Sequence, residues 1–387
     1  MYENRTPSQS SLKETYFIGK NAHFFGIHQQ LLRLNLLDDL PAFTSKKYTS
    51  QEYFKAFEYA SLHTISIKQG CLLMRALGKK APSPEQVMKC CRKNSAIKMT
   101  EFVNKALACQ FNALPKKIRQ QFRKSGIVFI DFHKDCYYGD RTNPHIRKSK
   151  VKQSTDCFYE YLTADLYSKY GSFTIAILHR PPKIKIPLLM KEMLHFIECV
   201  ISPKIIVFDG EFAILDVLNL LLRKNIKFIA RKARTKRIKE MFQRIETSSE
   251  EIRINQWQDF NMHSRWSKTK DISVQICPQR IMNEFRALIK STDWKISPKT
   301  AKKLYRKRFA IETGYRDKHK FQIFTCTKIL STRLLFLLFS ALLWNCWQSF
   351  LIWEHLLTGY YRNSFRDKTI WFSSIWIIYF LRRMIDI

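Results

Sequence analysis

Along the first third of the chain, apolar residues recur three or four positions apart, with polar residues between them. This spacing is typical of helices that bury one face. No alternating strand pattern interrupts the region before about residue 120, so residues 1–122 are predicted to form a helical domain. Compact helices with a surface rich in Lys and Arg suit a DNA-binding domain, although many small helical domains have the same pattern and bind nothing. The predicted helices are 50–59, 65–77, 83–93 and 98–112.

The pattern changes at Gly126, where short apolar runs rich in β-branched and aromatic residues begin. Runs of this kind, bounded by Gly and Pro, predict strands. Across residues 123–231 the order is three strands, helix, strand, helix, strand, which predicts a mixed α/β sheet. The strands are 126–131, 157–164, 172–178, 204–209 and 227–231, and the helices are 186–199 and 213–224.

Residues 232–297 interrupt this order with stretches in which apolar and polar residues alternate. Alternation of period two predicts half-buried strands, so the segment is interpreted as a β-rich insertion. Residues 298–387 return to a helical pattern, with a basic helix over 298–320 followed by two apolar helices. The alternating stretches are 251–260, 271–276 and 284–290.

The apolar run 334–353 carries no charge and has the length of a membrane span, roughly twenty residues. Ser340, Asn345 and Gln348 lie inside it, and the second apolar run, 370–381, is too short to span. A helix buried on all sides of a large core gives the same pattern, and that interpretation is favoured over a membrane span.

The composition indicates a polyanionic partner. The 387 residues include 67 Lys and Arg against 32 Asp and Glu, a net charge of +35, and 45% of the residues are hydrophobic. This apolar content excludes a disordered polycation. Because a folded protein so charged repels itself, nucleic acid is the first partner to consider. An anionic membrane surface and charge kept for solubility alone are the alternatives.

The ten cysteines and ten histidines include no Cys-x-x-Cys pair and no cluster with metal-ligand spacing. A zinc finger and a disulfide scaffold are therefore not supported. No apolar signal-peptide segment is visible in the first thirty residues. Reduced thiols in the cytoplasm are expected.

Two of the predicted strands end in an aspartate, Asp131 and Asp209. Carboxylates at the ends of neighbouring strands can converge, and they cannot both stay charged there without a cation. Mg²⁺ or Mn²⁺ held by oxygen ligands is the usual solution. Since Asp also ends strands through turn chemistry, each residue alone is weak evidence.

The basic helix carries Tyr305, Arg308 and Glu312 at spacings of three and four, so they lie on one helix face. Arg316 and His319 continue that face. A carboxylate among such residues can complete a metal site, with cations beside it for phosphate. The alternative is a solvated face with an ion pair between Glu312 and Arg316.

The segment YRKRFAIETGYRDKHK resembles the Tyr-x2-Arg-x3-Glu-x6-Lys signature of DDE transposases from bacterial and archaeal insertion sequences, in the group called insertion sequence family four. The segments IDFHKDCYYGD and VFDGEF resemble that family's two Asp motifs. The stretch between Asp209 and Glu312 resembles its β-rich insertion. The resemblance covers about residues 126–353.

The resemblance implies an RNase H-like fold in which Asp131, Asp209 and Glu312 hold two Mg²⁺ or Mn²⁺ ions for in-line phosphoryl displacement. It implies cleavage of double-stranded DNA at terminal inverted repeats and strand transfer into target DNA. It also implies a homodimer in the synaptic complex, in the cytoplasm and associated with the nucleoid. The residues implied to contact phosphates near the cleaved end are Tyr305, Arg308, Arg316, Lys318, His319 and Lys320.

One position departs from the signature. Where it has Lys, this chain has His319, flanked by Lys318 and Lys320. Histidine can donate to phosphate but is only partly charged near neutral pH. Either a neighbouring Lys takes its place or this copy is less active.

Two further DNA contacts are expected in the insertion. Trp257 offers a flat face for stacking on a flipped base, although a buried core tryptophan is the favoured interpretation. The basic run 231–244 is either a DNA track or a solvated helix.

An active transposase is the leading hypothesis. An RNase H-like nuclease without strand transfer and a catalytically inactive, sequence-specific DNA-binding derivative are the alternatives. A basic membrane-associated protein is the least favoured.

Overall fold

The computed structural model of the chain describes residues 36–247, 254–263, 267, 271–281 and 284–358. Within these ranges, only the backbone is described at 281, 310–312, 350–351 and 353–358. The predicted apolar helix at 370–381 lies outside the described residues.

Most helices and strands lie where the sequence pattern predicted them, and a few short 3₁₀ turns are present in addition. The helices are α1 (Ser50–Leu62), α2 (Ile67–Ala76), α3 (Pro84–Arg92), α4 (Ala96–Ala113), α5 (Lys116–Ser125), α6 (Ile186–Glu198), α7 (Leu215–Arg223), α8 (Lys236–Thr247), α9 (Pro298–Lys307), α10 (Phe309–His319) and α11 (Leu330–Thr358). The strands are β1 (Ile127–Cys136), β2 (Arg147–Lys152), β3 (Thr155–Ser168), β4 (Gly171–His179), β5 (Ile205–Phe208), β6 (Lys227–Lys232), β7 (Gln258–Met262), β8 (Ile272–Ile281) and β9 (Glu284–Ser291).

The chain forms two compact units. The helical unit takes in the described residues up to Arg119, the short segment Lys169–Phe173 and the residues from Lys318 onward. The sheet unit comprises Gln120–Ser168 and Thr174–Asp317. The predicted boundaries after residues 122, 231 and 297 remain predictions.

In the helical unit, the four helices predicted before residue 120 are confirmed as α1 to α4. Each begins after a Ser or Thr, the residues that best satisfy the free N–H groups of a first helical turn. Ser83 and Ser95 accept a hydrogen bond from the backbone three residues on, and Thr49 and Ser66 form full capping boxes. Short polar sequences therefore fix where these helices start.

The long helix α11 lies in the same unit. Its segment Leu330–Ser349 is long and apolar enough to cross a membrane, but 89% of its most apolar window is buried within the protein. Two buried polar side chains join it to α4: Asn345 Nδ2 donates to Gln110 Oε1, and Gln110 Nε2 donates to the Leu342 carbonyl, both at 2.8 Å. This is the arrangement of a core helix.

In the sheet unit, the predicted mixed α/β sheet is confirmed. Nine strands form one sheet in the order β2-β3-β1-β5-β6-β9-β8-β7, with β4 paired to β3. β1, β5 and β6 are parallel, whereas β3 runs antiparallel to β1. The short strand β2, at the sheet edge, was not predicted.

The insertion extends this sheet rather than forming a separate layer. It begins with α8, an amphipathic helix that buries Ile238, Phe242 and Ile245. The strands predicted after it are present as β7, β8 and β9, and β9 pairs antiparallel with β6. The prediction of a β-rich segment is thus confirmed for its second part.

The single helix predicted over 298–320 is instead two helices, α9 and α10, which meet at Arg308. The backbone of Arg308 keeps helical dihedral angles, φ −56° and ψ −34°. Residues on one face of α9 therefore continue onto α10 with nearly helical spacing.

Candidate functional site

The two strand-end aspartates lie side by side. In the parallel pair β1 and β5, Phe129 is opposite Val207. Since residues two apart point to the same face of a strand, Asp131 extends the face of Phe129 and Asp209 that of Val207. The same register therefore brings both carboxylates to one edge of the sheet, just beyond its apolar core.

A core cluster on this face fixes the position of α9 and α10. Buried side chains of four strands pack against three residues of these helices, so the helices cross the strands next to the aspartates. The cluster comprises Phe129, Val207, Ile229, Leu288, Ala301, Tyr305 and Tyr315.

Tyr305 and Arg308, three residues apart, reach the two carboxylates. The Tyr305 hydroxyl donates to Asp209 Oδ1 at 3.0 Å. Arg308 Nη1 donates to Asp131 Oδ2 at 2.5 Å, and its Nη2 lies 3.9 Å from Asp209 Oδ1. One guanidinium thus lies beside both carboxylates and reduces their mutual repulsion, with one net negative charge left over.

The two carboxylates differ in exposure. The side chain of Asp131 is 13% exposed, and its Oδ1 also accepts the Phe132 backbone N–H at 2.9 Å. The side chain of Asp209 is 45% exposed. Asp131 is therefore a fixed, buried carboxylate, whereas the carboxylate of Asp209 is partly exposed to solvent.

Tyr315 also belongs to the site, although the sequence pattern did not indicate it. It lies ten residues after Tyr305 on the helix face shared with Arg308, and the same spacing rule could have found it. Its hydroxyl hydrogen-bonds with Thr163 Oγ1 on β3 and donates to the Asp131 carbonyl oxygen at 3.3 Å. Its ring lies 4.7 Å from that of His133. Tyr315 therefore holds the backbone of the aspartate.

Both site tyrosines remain neutral phenols at physiological pH. Burial, and next the charge of Asp209, raise the pKa of Tyr305. Burial, followed by the charges of Asp131 and Asp165, raises the pKa of Tyr315. A neutral phenol is a hydrogen-bond donor, which is the role that both have here.

A second set of contacts holds the turn that carries Asp209. Arg180, buried at the end of β4, donates to Glu160 on β3 at 2.9 Å and lies 2.7 Å from Glu211, two residues after Asp209. Gly210 allows a close approach, because a Cβ there would lie 3.0 Å from the Arg231 carbonyl oxygen. The position of Asp209 thus depends on contacts with β3, with the residue after β4 and with β6.

The donor set fits a hard divalent cation. Asp131 and Asp209 offer carboxylate oxygens, the ligands that Mg²⁺ and Mn²⁺ prefer. Across the part of the chain that the structure describes, no group of three His, Cys, Asp or Glu residues could hold a metal. Glu312 lies on α10, and its side chain is outside the described atoms. A cation between the aspartates would have to replace the contacts of Arg308.

The remaining residues implied to bind phosphate lie in different surroundings. Arg316 is exposed in the sheet unit, 3.4 Å from Thr313 Oγ1. In the helical unit, His319 and Lys320 are exposed, and His319 Nδ1 is hydrogen-bonded with Gln322. Lys318 is only 5% exposed, which makes its side chain a poor candidate for direct contact with DNA.

The two predicted contacts in the insertion are also described. Trp257 packs against the core cluster, and its indole N–H donates to the Ile296 carbonyl at 2.7 Å, as in the favoured interpretation of a core tryptophan. The basic run 231–244 forms most of α8, where Lys236 and Lys239 are exposed. Arg237 is tied to the Asn261 carbonyl at 2.7 Å.

Comparison with solved structures shows a shared fold. The chain is similar to the piggyBac transposase in its synaptic complex with hairpin DNA, with a TM-score of 0.51 and 13% identity over 94% of this chain and 79% of that one. At this identity the likeness is one of fold alone. Marinitoga piezophila Argonaute, in complex with 5′ OH guide RNA and target DNA, matches 56% of this chain and 30% of its own with 11% identity, but its TM-score of 0.20 carries no argument. No protein-family model and no curated protein matches the sequence.

Proposed function

We propose that this chain is a DNA transposase with an RNase H-like catalytic domain in its sheet unit. It would cut DNA at the terminal inverted repeats of an insertion sequence and join the ends to target DNA. The shared fold with a transposase supports the general class. Assignment to insertion sequence family four rests on the resemblance of the motifs.

One observation carries the proposal. Residues from three separate sequence motifs meet at one sheet edge, where Tyr305 and Arg308 of the signature contact Asp209 and Asp131. Separate surface residues with unrelated roles have no reason to converge in this way. A strongly cationic chain around a pair of carboxylates fits a reaction on a polyanion.

Asp131, Asp209 and Glu312 are the residues proposed to hold two Mg²⁺ or Mn²⁺ ions. Such ions, when bound, activate water and stabilise the leaving oxygen in phosphoryl transfer. The chain's own residues have supporting roles: Tyr305 orients Asp209, and Tyr315 holds the backbone of Asp131. Arg308, released from the carboxylates, would be free to contact a phosphate.

The wider setting follows from the same proposal. Double-stranded DNA is the substrate, both as transposon ends and as target. A homodimer would hold the two ends in a synaptic complex, and the enzyme would act in the cytoplasm on the nucleoid. The exposed residues Arg316, His319 and Lys320 would contribute phosphate contacts.

The test is Mg²⁺-dependent cleavage of labelled DNA that carries the sequences flanking the gene. Asp131→Asn, Asp209→Asn and Glu312→Gln should each bind this DNA normally and reduce cleavage at least 1,000-fold, roughly the scale of losing one strong electrostatic contribution to catalysis. Glu192→Gln, at an exposed carboxylate on α6, is the control and should cut normally. Cleavage at the native rate by any of the first three variants would refute the proposed triad.

His319 favours a second candidate, a DNA-binding derivative with impaired catalysis. It stands where the signature has Lys, and it is exposed and hydrogen-bonded with Gln322. If wild type binds the flanking DNA without cutting it and His319→Lys restores cutting, this candidate is correct. If wild type cuts and joins the ends, it is excluded, and cutting without joining indicates a nuclease.

A further inference from the structure

The unpredicted strand β2 presents a row of exposed cations at the edge of the sheet. Lys148, Lys150 and Lys152 are all exposed, and we call these three residues the lysine edge. In the described part of the chain, none of them has a carboxylate within ion-pair distance. The three ammonium groups are therefore accessible from solvent, and Lys148 also interacts with the charge of Asp156 on β3.

A lysine of β1 contacts the lysine edge from the opposite face of the sheet. Lys134 lies three residues beyond Asp131, and because side chains alternate along a strand, the two point to different faces. The Nζ of Lys134 donates to Ser149 Oγ on β2 at 2.7 Å, between two lysines of the edge. The same Nζ also lies 3.7 Å from Glu160 Oε1, a carboxylate that pairs with Arg147 and Arg180 as well, so Lys134 supports β2 rather than adding free positive charge to the row.

The spacing suits a phosphate backbone. Residues two apart on a strand are separated by about 7 Å, and one DNA strand carries a charge per roughly 3.4 Å of helix axis. Neighbouring lysines thus match about every second phosphate. The pairing of β2 with β3 is irregular between Lys148 and Lys152, and both of these side chains are exposed.

An exposed aromatic ring lies at the end of the row. Tyr138 is 68% exposed, and its hydroxyl donates to the Gln153 carbonyl at 2.8 Å, one residue after Lys152. Gln153 and Ser154 form the tight turn between β2 and β3, both with positive φ. The ring is thus held at its polar end while its faces stay accessible. Cations along a backbone track beside a flat ring are the elements that bind single-stranded nucleic acid.

We propose that the lysine edge and Tyr138 bind single-stranded DNA, with phosphates along β2 and an unpaired base stacked on Tyr138. The proposal deepens the proposed function and rests on it for the identity of the strand, which is one that leaves the cleavage site. The competing explanation is that the lysines only keep this sheet edge from pairing with another chain.

The test measures fluorescence anisotropy of full-length protein with a short labelled single strand and with the matching duplex. The triple variant Lys148→Gln, Lys150→Gln, Lys152→Gln should bind the single strand at least tenfold more weakly. Its slope of log affinity against log salt should fall by about 2, as expected for three lost phosphate contacts. The control, Lys183→Gln, Lys185→Gln, Lys191→Gln, removes three exposed lysines of the same unit and should change the affinity less than twofold.

Tyr138→Ala should weaken single-strand binding at least about fivefold, the lower bound for one stacked base, and duplex binding less. Tyr138→Phe loses the hydroxyl contact but keeps the ring, and should keep most of the affinity. Equal losses for single strand and duplex would show that no base stacks on the ring. If the triple lysine variant binds the single strand as well as the control does, the proposal is wrong, whether or not the variant aggregates. The lysines would then serve only to keep this sheet edge from pairing with another chain.

The two proposals fail in different ways. If Asp131→Asn abolishes cleavage while the triple variant binds normally, only the lysine edge is refuted. If no variant affects cleavage but the triple variant loses single-strand affinity, the binding surface stands and the catalytic assignment fails. Circular dichroism of each variant verifies that it is folded.

Discussion

Arg308 and Asp131, 177 residues apart in the chain, form an ion pair in which both side chains are nearly buried. Breaking such a pair leaves one charge buried without its partner, and this is costly even where forming the pair contributes little net stability. The stability of the protein around the ends of β1 and β5 therefore depends on two residues that also belong to the proposed catalytic site.

Arg308→Leu should lower the free energy of unfolding by about 3 kcal/mol, because Asp131 loses its counter-charge. Urea denaturation measures this. The double variant with Asp131→Asn should recover more than half of the loss, since a neutral amide needs no cation. Arg316→Leu, an exposed cation on the same helix, is the control and should change stability by less than about 0.5 kcal/mol. If Arg308→Leu and Arg316→Leu lowered the free energy of unfolding equally, the argument from the burial of the ion pair would be wrong.

Arg180→Met should lower kcat about tenfold and leave DNA affinity unchanged, because the turn after Asp209 loses its tie to Glu160 and small misplacements of a reacting group are costly. Single-turnover cleavage, measured beside DNA binding, separates the two effects. Arg147→Met removes another cation that pairs with Glu160 at 3.0 Å, and the structure shows no ion pair between Arg147 and Glu211. Arg147→Met should therefore keep kcat within twofold of the wild-type value. If Arg180→Met and Arg147→Met lowered kcat equally, the effect would come from Glu160 alone and not from the tie to Glu211.

Protonation of His179 should destabilise the protein in acid. Burial lowers the pKa of His179 to about 4 from an ordinary 6.5, so the folded state binds the proton less readily than the unfolded chain. The neutral side chain contributes its full stability above pH 6.5, and this contribution falls as the pH drops from 6.5 towards 4, by about 3 kcal/mol in total. His179→Gln should therefore show a shallower loss of stability between pH 7 and pH 4.5 than wild type does. His195→Gln, at an exposed histidine, should follow the wild-type curve.

Asn345→Leu should lower the free energy of unfolding by about 2 kcal/mol, because Gln110 Oε1 loses its donor inside the helical unit. Gln110→Leu with Asn345→Leu should cost less than the two single changes added together, since neither side chain is then left unsatisfied. Thermal or urea unfolding of the three variants gives the coupling energy. Asn112→Leu on the exposed face of α4 is the control. Strict additivity would show that the two amides act independently.

Much of this molecule follows from local pattern. The spacing of apolar residues predicted α1 to α4 and the strand order of the sheet, and the two aspartates were found because each ends an apolar run. Strand β2 was missed because its sequence, RKSKVK, has one apolar residue, and an edge strand needs no apolar face to pair. A solvated helix was one of the two interpretations of the basic run 231–244, but the buried face of α8 was missed because Ile238, Phe242 and Ile245 are sparse among basic residues.

The site was predicted as a set of residues, but its contacts were not. Spacing places Tyr305 and Arg308 on one helix face, yet it does not say which carboxylate each would meet. The burial of Asp131 and the exposure of Asp209 depend on the position of α9 above the sheet. Long-range packing sets that position, so no local sequence pattern carries it.

The make-up of the helical unit has a consequence for synthesis of the protein. Phe54 and Phe57 of α1 pack against Phe339 of α11, which is made more than two hundred residues later. The sheet unit, a nearly continuous segment between the two helices, can complete its core earlier. Until α11 is made, these two aromatic side chains lack one of their partners, and apolar surface exposed in this way favours aggregation.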